Sequence, residues 1–355
     1  MYYAVILLIC VLFPLMKDKN AYLKLSFLIL LLVSSLRGYD VGGDLVNYIP
    51  MFDEISSHPY SYIFSEYTKY GWCFPLIIKT ASLVSGNTSF ILLVLSVFNL
   101  SGVYYLIKHY SKNYWLSIFI YIAFAYYTNT FNSVRSSMAL SFGLFALDSL
   151  LRGKKIQFWL ITLLAIEVHK TIFPIVLLPL LSKYKPNFRH LFFAIVLSFV
   201  VSRIVDVAFV NNIMVLYSAN YIGFDSEGEG LTLLALYAII TFGLFYLYKN
   251  KMSDTYSVMI NCLCVGTCIQ CFAPVASLVT RISLFFMIYI IILIPNCITL
   301  SFKRSFRPLV TGAVLLLFFL YFNMFVMRPN VYYPDGSMSN SQKTIPYETV
   351  WQINR

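Results

Sequence analysis

Charged residues are scarce in this 355-residue sequence, where they make up 12% of the chain against about 25% in soluble proteins. The seven cysteines lie mostly within apolar stretches, which argues against the disulfide framework of a small secreted domain. The sequence contains no P-loop, GxSxG or HExxH pattern, so common signatures of nucleotide-binding proteins, serine hydrolases and zinc proteases are missing. Because 59% of the residues are hydrophobic, the composition excludes an ordinary soluble protein.

The sequence is instead dominated by apolar runs, many of them close to the ~20 residues that cross a bilayer as a helix. We predict an all-α polytopic membrane protein with about twelve transmembrane segments, forming a single integral membrane domain over residues 1–355. The predicted spans are 2–16, 21–36, 89–107, 114–131, 136–151, 156–168, 171–182, 190–209, 231–248, 256–274, 281–300 and 308–326. A weaker run, 72–85, is interrupted by Pro75 and Lys79 and is interpreted as a re-entrant or interfacial helix.

The distribution of charge predicts the orientation of these spans. With residues 17–24 in the cytoplasm and the chain alternating sides, the inner loops contain 16 of the 26 Lys and Arg residues but 3 of the 15 Asp and Glu residues. This follows the positive-inside rule. The outer side then carries loops 37–88 and 210–230 and the tail 327–355. Because orientation accounts for the net charge of +11, we predict no nucleic-acid partner.

The first motif on the predicted outer side is RGYDVGGD, directly after the second span. Arg37, Asp40 and Asp44 are spaced i, i+3, i+7 and would share a helix face, whereas the glycines favour a tightly bent loop. In either case a cation and two carboxylates meet at the membrane surface. A self-neutralising salt-bridged turn is the alternative interpretation.

Two further motifs on this side combine polar and aromatic residues. Glu66, Tyr70 and Trp72 are suited to lining a sugar-binding groove, although an interfacial aromatic belt would have the same composition. Asn132 and Arg135 continue a polar stripe at the outer end of an apolar run. For Arg135 the alternative is a side chain that extends to the lipid headgroups.

The remaining ionisable candidates are His169 and Lys170, at the joint of two short helices, and Arg281, at the start of a later span. A buried, hydrogen-bonded packing role is the alternative for His169. Arg37, Arg135, Lys170 and Arg281 come from four separate segments on the predicted outer side. Converging cations of this kind are suited to binding a pyrophosphate.

Carboxylates and a histidine near such a cation set supply acid–base groups. Asp44, Glu66 and His169 are the candidate catalytic residues. Asp40, Tyr70, Trp72 and Asn132 are the candidate sugar-binding residues. Nothing beyond the pair Asp40 and Asp44 indicates a divalent ion, so we predict neither a metal nor a cofactor. Since no ATP is available outside the cytoplasmic membrane, a synthetic reaction there requires a donor that is already activated.

At these positions the sequence resembles the EpsG-like family of polysaccharide polymerases, which includes many O-antigen polymerases of the Wzy type. The resemblance is carried by RGYDVGGDLVNYIPMF at 37–52, EYTKYG at 66–71, NSVR at 132–135, AIEVHKTIFP at 165–174 and Arg281. It implies a GT-C-like glycosyltransferase architecture in the bacterial inner membrane, with a site facing the periplasm and 37–88 as the catalytic loop.

The resemblance also implies the reaction. Such an enzyme, without a metal, transfers a growing O-antigen or capsule glycan from undecaprenyl pyrophosphate to the non-reducing end of the next lipid-linked repeat unit. Its partners would be these lipid-linked oligosaccharides, membrane lipid, a chain-length regulator and a flippase. A lipid-linked oligosaccharide flippase or transporter is a second hypothesis, with charges in a cavity at the bilayer midplane. A membrane acyltransferase is a third, which leaves the arginines without a role.

Overall fold

The computed structural model describes residues 1–66, 71–205, 230–274, 278–333, 336, 338–340 and 342–352, without the side chains of Glu66 and Leu278. The predicted outer loop 210–230 lies outside the described residues except for Gly230. The predicted span 190–209 is described only as far as residue 205.

Helices account for nearly all regular structure in the described residues. In chain order they are α1 (Tyr2–Leu15), α2 (Lys19–Ser35), α3 (Leu45–Ser57), α4 (Tyr60–Glu66), α5 (Cys73–Ser82), α6 (Thr88–Tyr110), α7 (Tyr114–Ala123), α8 (Tyr126–Asn132), α9 (Val134–Leu151), α10 (Lys155–Val168), a 3₁₀ helix (Lys170–Leu177), α11 (Leu178–Leu181), α12 (Phe188–Ile204), α13 (Gly230–Tyr248), α14 (Asp254–Gln270), α15 (Leu278–Met287), α16 (Ile290–Ser301), α17 (Arg307–Tyr321) and a π-helical turn (Phe322–Val326).

Five of the described helical segments are long and apolar enough to cross a membrane. They are Thr88–Tyr110, Val134–Leu151, Gly230–Tyr248, Val279–Ser301 and Arg307–Val326. Several shorter apolar helices accompany them, among them Tyr2–Leu15 and Tyr114–Ala123. The prediction of a helical membrane protein is therefore confirmed, and the count of about twelve spans stays a prediction.

The helices are interrupted at or near the residues of the predicted outer motifs. Ala125 has a left-handed backbone with φ of 65°, which ends α7 and divides the predicted span 114–131. The chain breaks again at Ser133, between α8 and α9. After α10, His169 is extended, with φ of −156° and ψ of 116°, before the 3₁₀ helix begins. At the last of these breaks the His169 side chain accepts a hydrogen bond from the Thr171 amide, one of the backbone groups that a helix start leaves free.

The centre of the bundle is formed by α6 and α9, which approach closely at Gly102. A Cβ atom at this position would lie 2.5 Å from the backbone oxygen of Ser141. The Gly102 amide donates to Ser141 Oγ at 2.7 Å, so a small residue and a hydroxyl join the two helices. This is the packing expected between membrane helices, where small residues let backbones approach.

Large apolar side chains on the outer helices remain exposed. On α12 they include Phe193, Leu197 and Ile204, and on α17 they include Leu309 and Leu316. Such a surface would be unfavourable in water but is suited to hydrocarbon. The outside of the bundle is therefore a lipid-facing surface.

The C-terminal tail folds back onto the loop after α2. A two-stranded antiparallel sheet, β1 (Val331–Tyr332) with β2 (Met338–Ser339), begins this segment and is absent from the all-α prediction. The chain then pairs with the loop: the Gly38 amide donates to the Glu348 carbonyl at 2.7 Å, and the Val350 amide donates to the Leu36 carbonyl at 3.1 Å. The tail is thus part of the same end of the molecule as the first motif.

Candidate active site

The loop between α2 and α3 is shaped by glycine and joined to α8. Gly42 has φ of +103°, and a Cβ atom there would lie 2.3 Å from the Phe131 carbonyl oxygen. Only glycine permits this approach without displacing backbone. It allows the Asp44 amide to donate a hydrogen bond to Asn132 Oδ1 at 3.1 Å. Two predicted motifs, 88 residues apart in sequence, therefore meet here.

Asp44 precedes the first turn of α3, but its carboxylate does not cap that helix. Burial raises the pKa of the Asp44 carboxyl above its usual range, while the positive charges of Arg281 and Arg135 lower it. Two guanidinium groups from different helices therefore act on one half-buried carboxylate. A carboxylate in this situation is suited to accepting a proton.

Arg135 lies in the first turn of α9 and points to the end of α10. Its Nη2 donates to the Val168 carbonyl at 3.4 Å, and its guanidinium carbon lies 5.6 Å from the centre of the Phe74 ring. The side chain is half-buried. Because it contacts Val168, Arg135 is next to the joint that carries His169.

His169 caps the 3₁₀ helix that follows α10. Its Nδ1 accepts a hydrogen bond from the Thr171 amide at 3.3 Å and lies 2.5 Å from Thr171 Oγ1. Because an amide can only donate, Nδ1 carries no proton, and the neutral ring has its proton on Nε2. Burial, and after it the positive charges of Arg135 and Arg281, together lower the pKa of His169 to about 3. The ring is therefore neutral near pH 7 and presents an N–H donor.

Arg281 lies in α15 and lines a small polar cavity among α6, α7, α8 and α9. The cavity has a volume of about 10 Å³, which is close to the room that one water needs. Buried side-chain oxygens of Asn99, Tyr121 and Tyr126 line it and have no hydrogen-bond partner among the described residues. Sequence reasoning missed this cavity, although an asparagine in the middle of an apolar run was a readable signal.

The segment around Trp72 is packed against the end of α10. Gly71 has φ of +76°, and a Cβ atom there would lie 1.9 Å from the Glu167 carbonyl oxygen. Trp72 follows, 41% exposed, at the start of α5. The predicted sugar-binding Tyr70 lies outside the described residues, as does the side chain of Glu66.

The structure thus groups five of the predicted site residues. Asp44, Asn132, Arg135, His169 and Arg281 are linked by the contacts and charge effects described above.

Among the predicted residues outside this group, Asp40 and Lys170 are exposed at the surface. Arg37 is 1% exposed, donates to the backbone oxygen and hydroxyl of Ser34, and lies 4.9 Å from the centre of the Phe131 ring. In this position its guanidinium is an internal group at the base of the loop, which differs from the predicted place in a pyrophosphate site.

The sequence was compared with known proteins. No curated protein and no solved structure matches it. The sequence model of the EpsG family matches residues 20–349, nearly the whole chain, and includes every residue of the candidate site. Proteins of this family are polysaccharide polymerases of the glycosyltransferase type. On this match, the chain belongs to the EpsG family.

Proposed function

We propose that this protein is an O-antigen or capsule polymerase that works at the periplasmic face of a bacterial inner membrane. It transfers a glycan from undecaprenyl pyrophosphate to the non-reducing end of the next lipid-linked repeat unit. The observation that carries the proposal is the grouping of Arg135 and Arg281 with Asp44 and His169. Two cations beside a carboxylate and a neutral imidazole match a reaction in which a pyrophosphate leaves.

In the proposed reaction, the hydroxyl oxygen of the acceptor sugar bonds to the anomeric carbon of the donor. Asp44 accepts the proton that this hydroxyl loses. The bond from that carbon to the pyrophosphate oxygen breaks, and its electron pair stays with the leaving pyrophosphate. The guanidinium groups of Arg135 and Arg281 stabilise the negative charge that develops there. Atoms and charge balance without a nucleotide or a redox partner.

His169 has a donor role in this scheme. Because its pKa is lowered to about 3 and Nδ1 accepts from Thr171, the ring is a weak base with a proton on Nε2. That N–H can donate to a phosphate or sugar oxygen of the substrate. Asp44 is therefore the preferred base among the groups predicted from sequence, with its pKa raised by burial.

The sugar rings are proposed to bind at the edge of this group. Trp72 is exposed beside the end of α10 and can stack on an apolar sugar face. Asp40 and Lys170, both exposed, are proposed to contact the outer part of the substrate, together with Tyr70. Asn132, predicted to bind sugar, instead accepts a hydrogen bond from the Asp44 amide through its Oδ1. A GT-C-like arrangement with about twelve spans, a metal-independent reaction, and association with a chain-length regulator and a flippase belong to the same proposal.

The test is reconstitution of the purified protein in lipid nanodiscs with an undecaprenyl-pyrophosphate-linked repeat unit. We expect a ladder of glycan lengths and release of undecaprenyl pyrophosphate. Arg135→Ala and Arg281→Ala should each reduce extension by at least a hundredfold, since loss of one charge-stabilising group in a transition state costs about 10²–10³ in rate. Arg189→Ala, at an exposed arginine on α12, is the matched control. Transport of the substrate across a vesicle bilayer without any ladder would overturn the proposal.

A further inference from the structure

The C-terminal segment is hydrogen-bonded along the loop that carries Asp44. The amide of Gly42, the glycine that lies against α8, donates to the Lys343 carbonyl at 2.8 Å. Farther along, Arg37 and Thr349 form an antiparallel bridge. A segment about 300 residues away in sequence is therefore hydrogen-bonded to the backbone that precedes Asp44.

Lys343 has a backbone conformation that lysine rarely adopts. Its φ is 49°, in the left-handed region that favours glycine. Asn340, which is 2% exposed, fixes the turn: its Nδ2 donates to the Val326 carbonyl at 2.7 Å, and its Oδ1 accepts from the Thr344 amide at 2.8 Å. Strained residues held by their surroundings occur preferentially at functional sites.

The side chain that this turn presents packs against the loop that carries Asp44. Lys343 Cδ is 3.5 Å from the position that a Cβ of Gly43 would occupy, and Asn132 Oδ1 is 3.2 Å from the same position. The ammonium group lies over the Tyr333 ring, 5.9 Å from its centre. Among the described residues, Lys343 forms no ion pair with a carboxylate. The stem of an exposed lysine thus packs beside Gly43, and its ammonium group contacts an aromatic ring.

We propose that Lys343 is a substrate-binding residue that moves from Tyr333 to the pyrophosphate oxygens of the lipid-linked substrate. The inference rests on the proposed function for the identity of this anion. The flexible four-carbon stem lets the ammonium act as a mobile point charge, in contrast to the planar guanidinium groups deeper in the site. A binding role also explains why lysine occupies a position where glycine would adopt the same backbone without strain.

Lys343→Gly is the decisive variant, because glycine suits the left-handed backbone and removes only the side chain. Binding of inorganic pyrophosphate to the full-length protein in nanodiscs is measured by calorimetry. We expect about fivefold weaker binding in Lys343→Gly and in Lys343→Gln, the size expected for loss of one exposed cation. Lys303→Gln, at an exposed lysine in the loop before α17, is the control and should bind like the unmodified protein. The melting temperature of Lys343→Gly should be unchanged or higher.

The outcomes separate the two proposals. If the unmodified protein extends glycans and Lys343→Gly binds pyrophosphate as tightly as the unmodified protein does, the role of Lys343 is refuted and the polymerase proposal stands. If the unmodified protein makes no ladder but Lys343→Gly loses affinity for pyrophosphate, Lys343 binds the anion and the polymerase proposal fails. A normal affinity for pyrophosphate with weaker binding of a uronic-acid oligosaccharide would mean that Lys343 binds a sugar carboxylate, and would also refute the assignment.

Discussion

Asn132 Oδ1 accepts a hydrogen bond from the backbone N–H of Asp44 at 3.1 Å, and this contact holds the Asp44 backbone beside the start of α9, whose first turn carries Arg135. The bond joins the loop after α2 to the break between α8 and α9. The proposed base and a proposed phosphate-binding arginine thereby lie on segments joined by this bond. Because the position of a reacting group affects rate steeply, Asn132 has a positioning role in the proposed reaction.

Asn132→Ala removes the acceptor for the Asp44 amide. A hydrogen bond of this kind contributes about 1 kcal/mol, so we expect glycan extension to fall by roughly five- to tenfold in kcat/KM. The measurement is the rate of repeat-unit addition by purified protein. Asn323→Ala is a suitable control, since Asn323 also makes side-chain hydrogen bonds, to Tyr3 and Phe319, outside the site. Equal losses in the two variants would contradict a specific role for Asn132.

Arg135→Lys and Arg281→Lys keep the positive charge but lose the planar pair of donors. If these residues bind the two phosphates through bidentate hydrogen bonds, lysine will not replace them. We expect at least a tenfold fall in kcat/KM for either variant, which corresponds to about 1.4 kcal/mol of transition-state stabilisation. The exposed Arg328 provides the control, and Arg328→Lys should change the rate by less than twofold. Full activity of both site variants would show that charge alone suffices.

Arg37 should behave differently, because its guanidinium is an internal group. Burial lowers the pKa of Arg37 to about 10, so the side chain remains charged near pH 7 and depends on Ser34 and the Phe131 ring. Arg37→Met is expected to reduce stability by about 1.5–3 kcal/mol through loss of charged hydrogen bonds. The folded fraction should keep its KM for the lipid-linked donor within twofold. Melting temperature and KM are measured on the same preparation. A large rise in KM with normal stability would indicate that Arg37 binds substrate.

The sequence predicted the helical membrane class well because a bilayer constrains both the length and the apolarity of a span. It did not predict the break at Ala125, since a left-handed backbone at alanine has no residue signature. It left open whether the tail 327–355 folds back over the site or extends freely, and the structure pairs the tail with the loop after α2. Those contacts are backbone hydrogen bonds, such as Gly38 to Glu348, which almost any sequence can form.

For the site, the useful signal was the energetic cost of an ionisable group beside apolar sequence. It identified Arg135 and Arg281, which the structure groups with Asp44. The same signal selected Arg37, because the cost of a charge does not distinguish a ligand-binding group from one satisfied inside the fold. The signal did not select Lys343, since its proposed role depends on a turn in the tail and a lysine in a polar segment is otherwise ordinary.

Gly71 and Gly153 form a matched pair for testing how the Trp72 segment is held. Both have a positive φ, +76° and +74°, but a Cβ atom at Gly153 would meet no atom within 4 Å, whereas at Gly71 it would lie 1.9 Å from the Glu167 carbonyl oxygen. Gly153→Ala should therefore cost only the left-handed conformation, about 1 kcal/mol. Gly71→Ala adds a backbone clash and should lose on the order of 3 kcal/mol or more. Melting temperatures in detergent distinguish the two, and similar losses would mean that the close contact with α10 is absent.

The effect of His169 on stability should depend on pH in a direction that its lowered pKa defines. Its pKa is lowered to about 3 in the folded protein, against an ordinary value of about 6.5, so the unfolded chain takes up a proton first as the pH falls. The folded state should lose stability as the pH is lowered from about 6.5 towards 3, by at most about 1.4 kcal/mol per pH unit, and should be unaffected by His169 above about 6.5.

Asp44 acts in the opposite sense, because its raised pKa favours the protonated folded state in acid, but this contribution is common to the wild type and to His169→Asn. Asparagine can still accept from the Thr171 amide, so the helix cap is kept. We therefore expect the melting temperature of the wild type to fall more steeply than that of His169→Asn between pH 6.5 and pH 4.5. Parallel curves would show that His169 is protonated as readily in the folded protein as in the unfolded chain, and that the two arginines and burial do not hold it neutral.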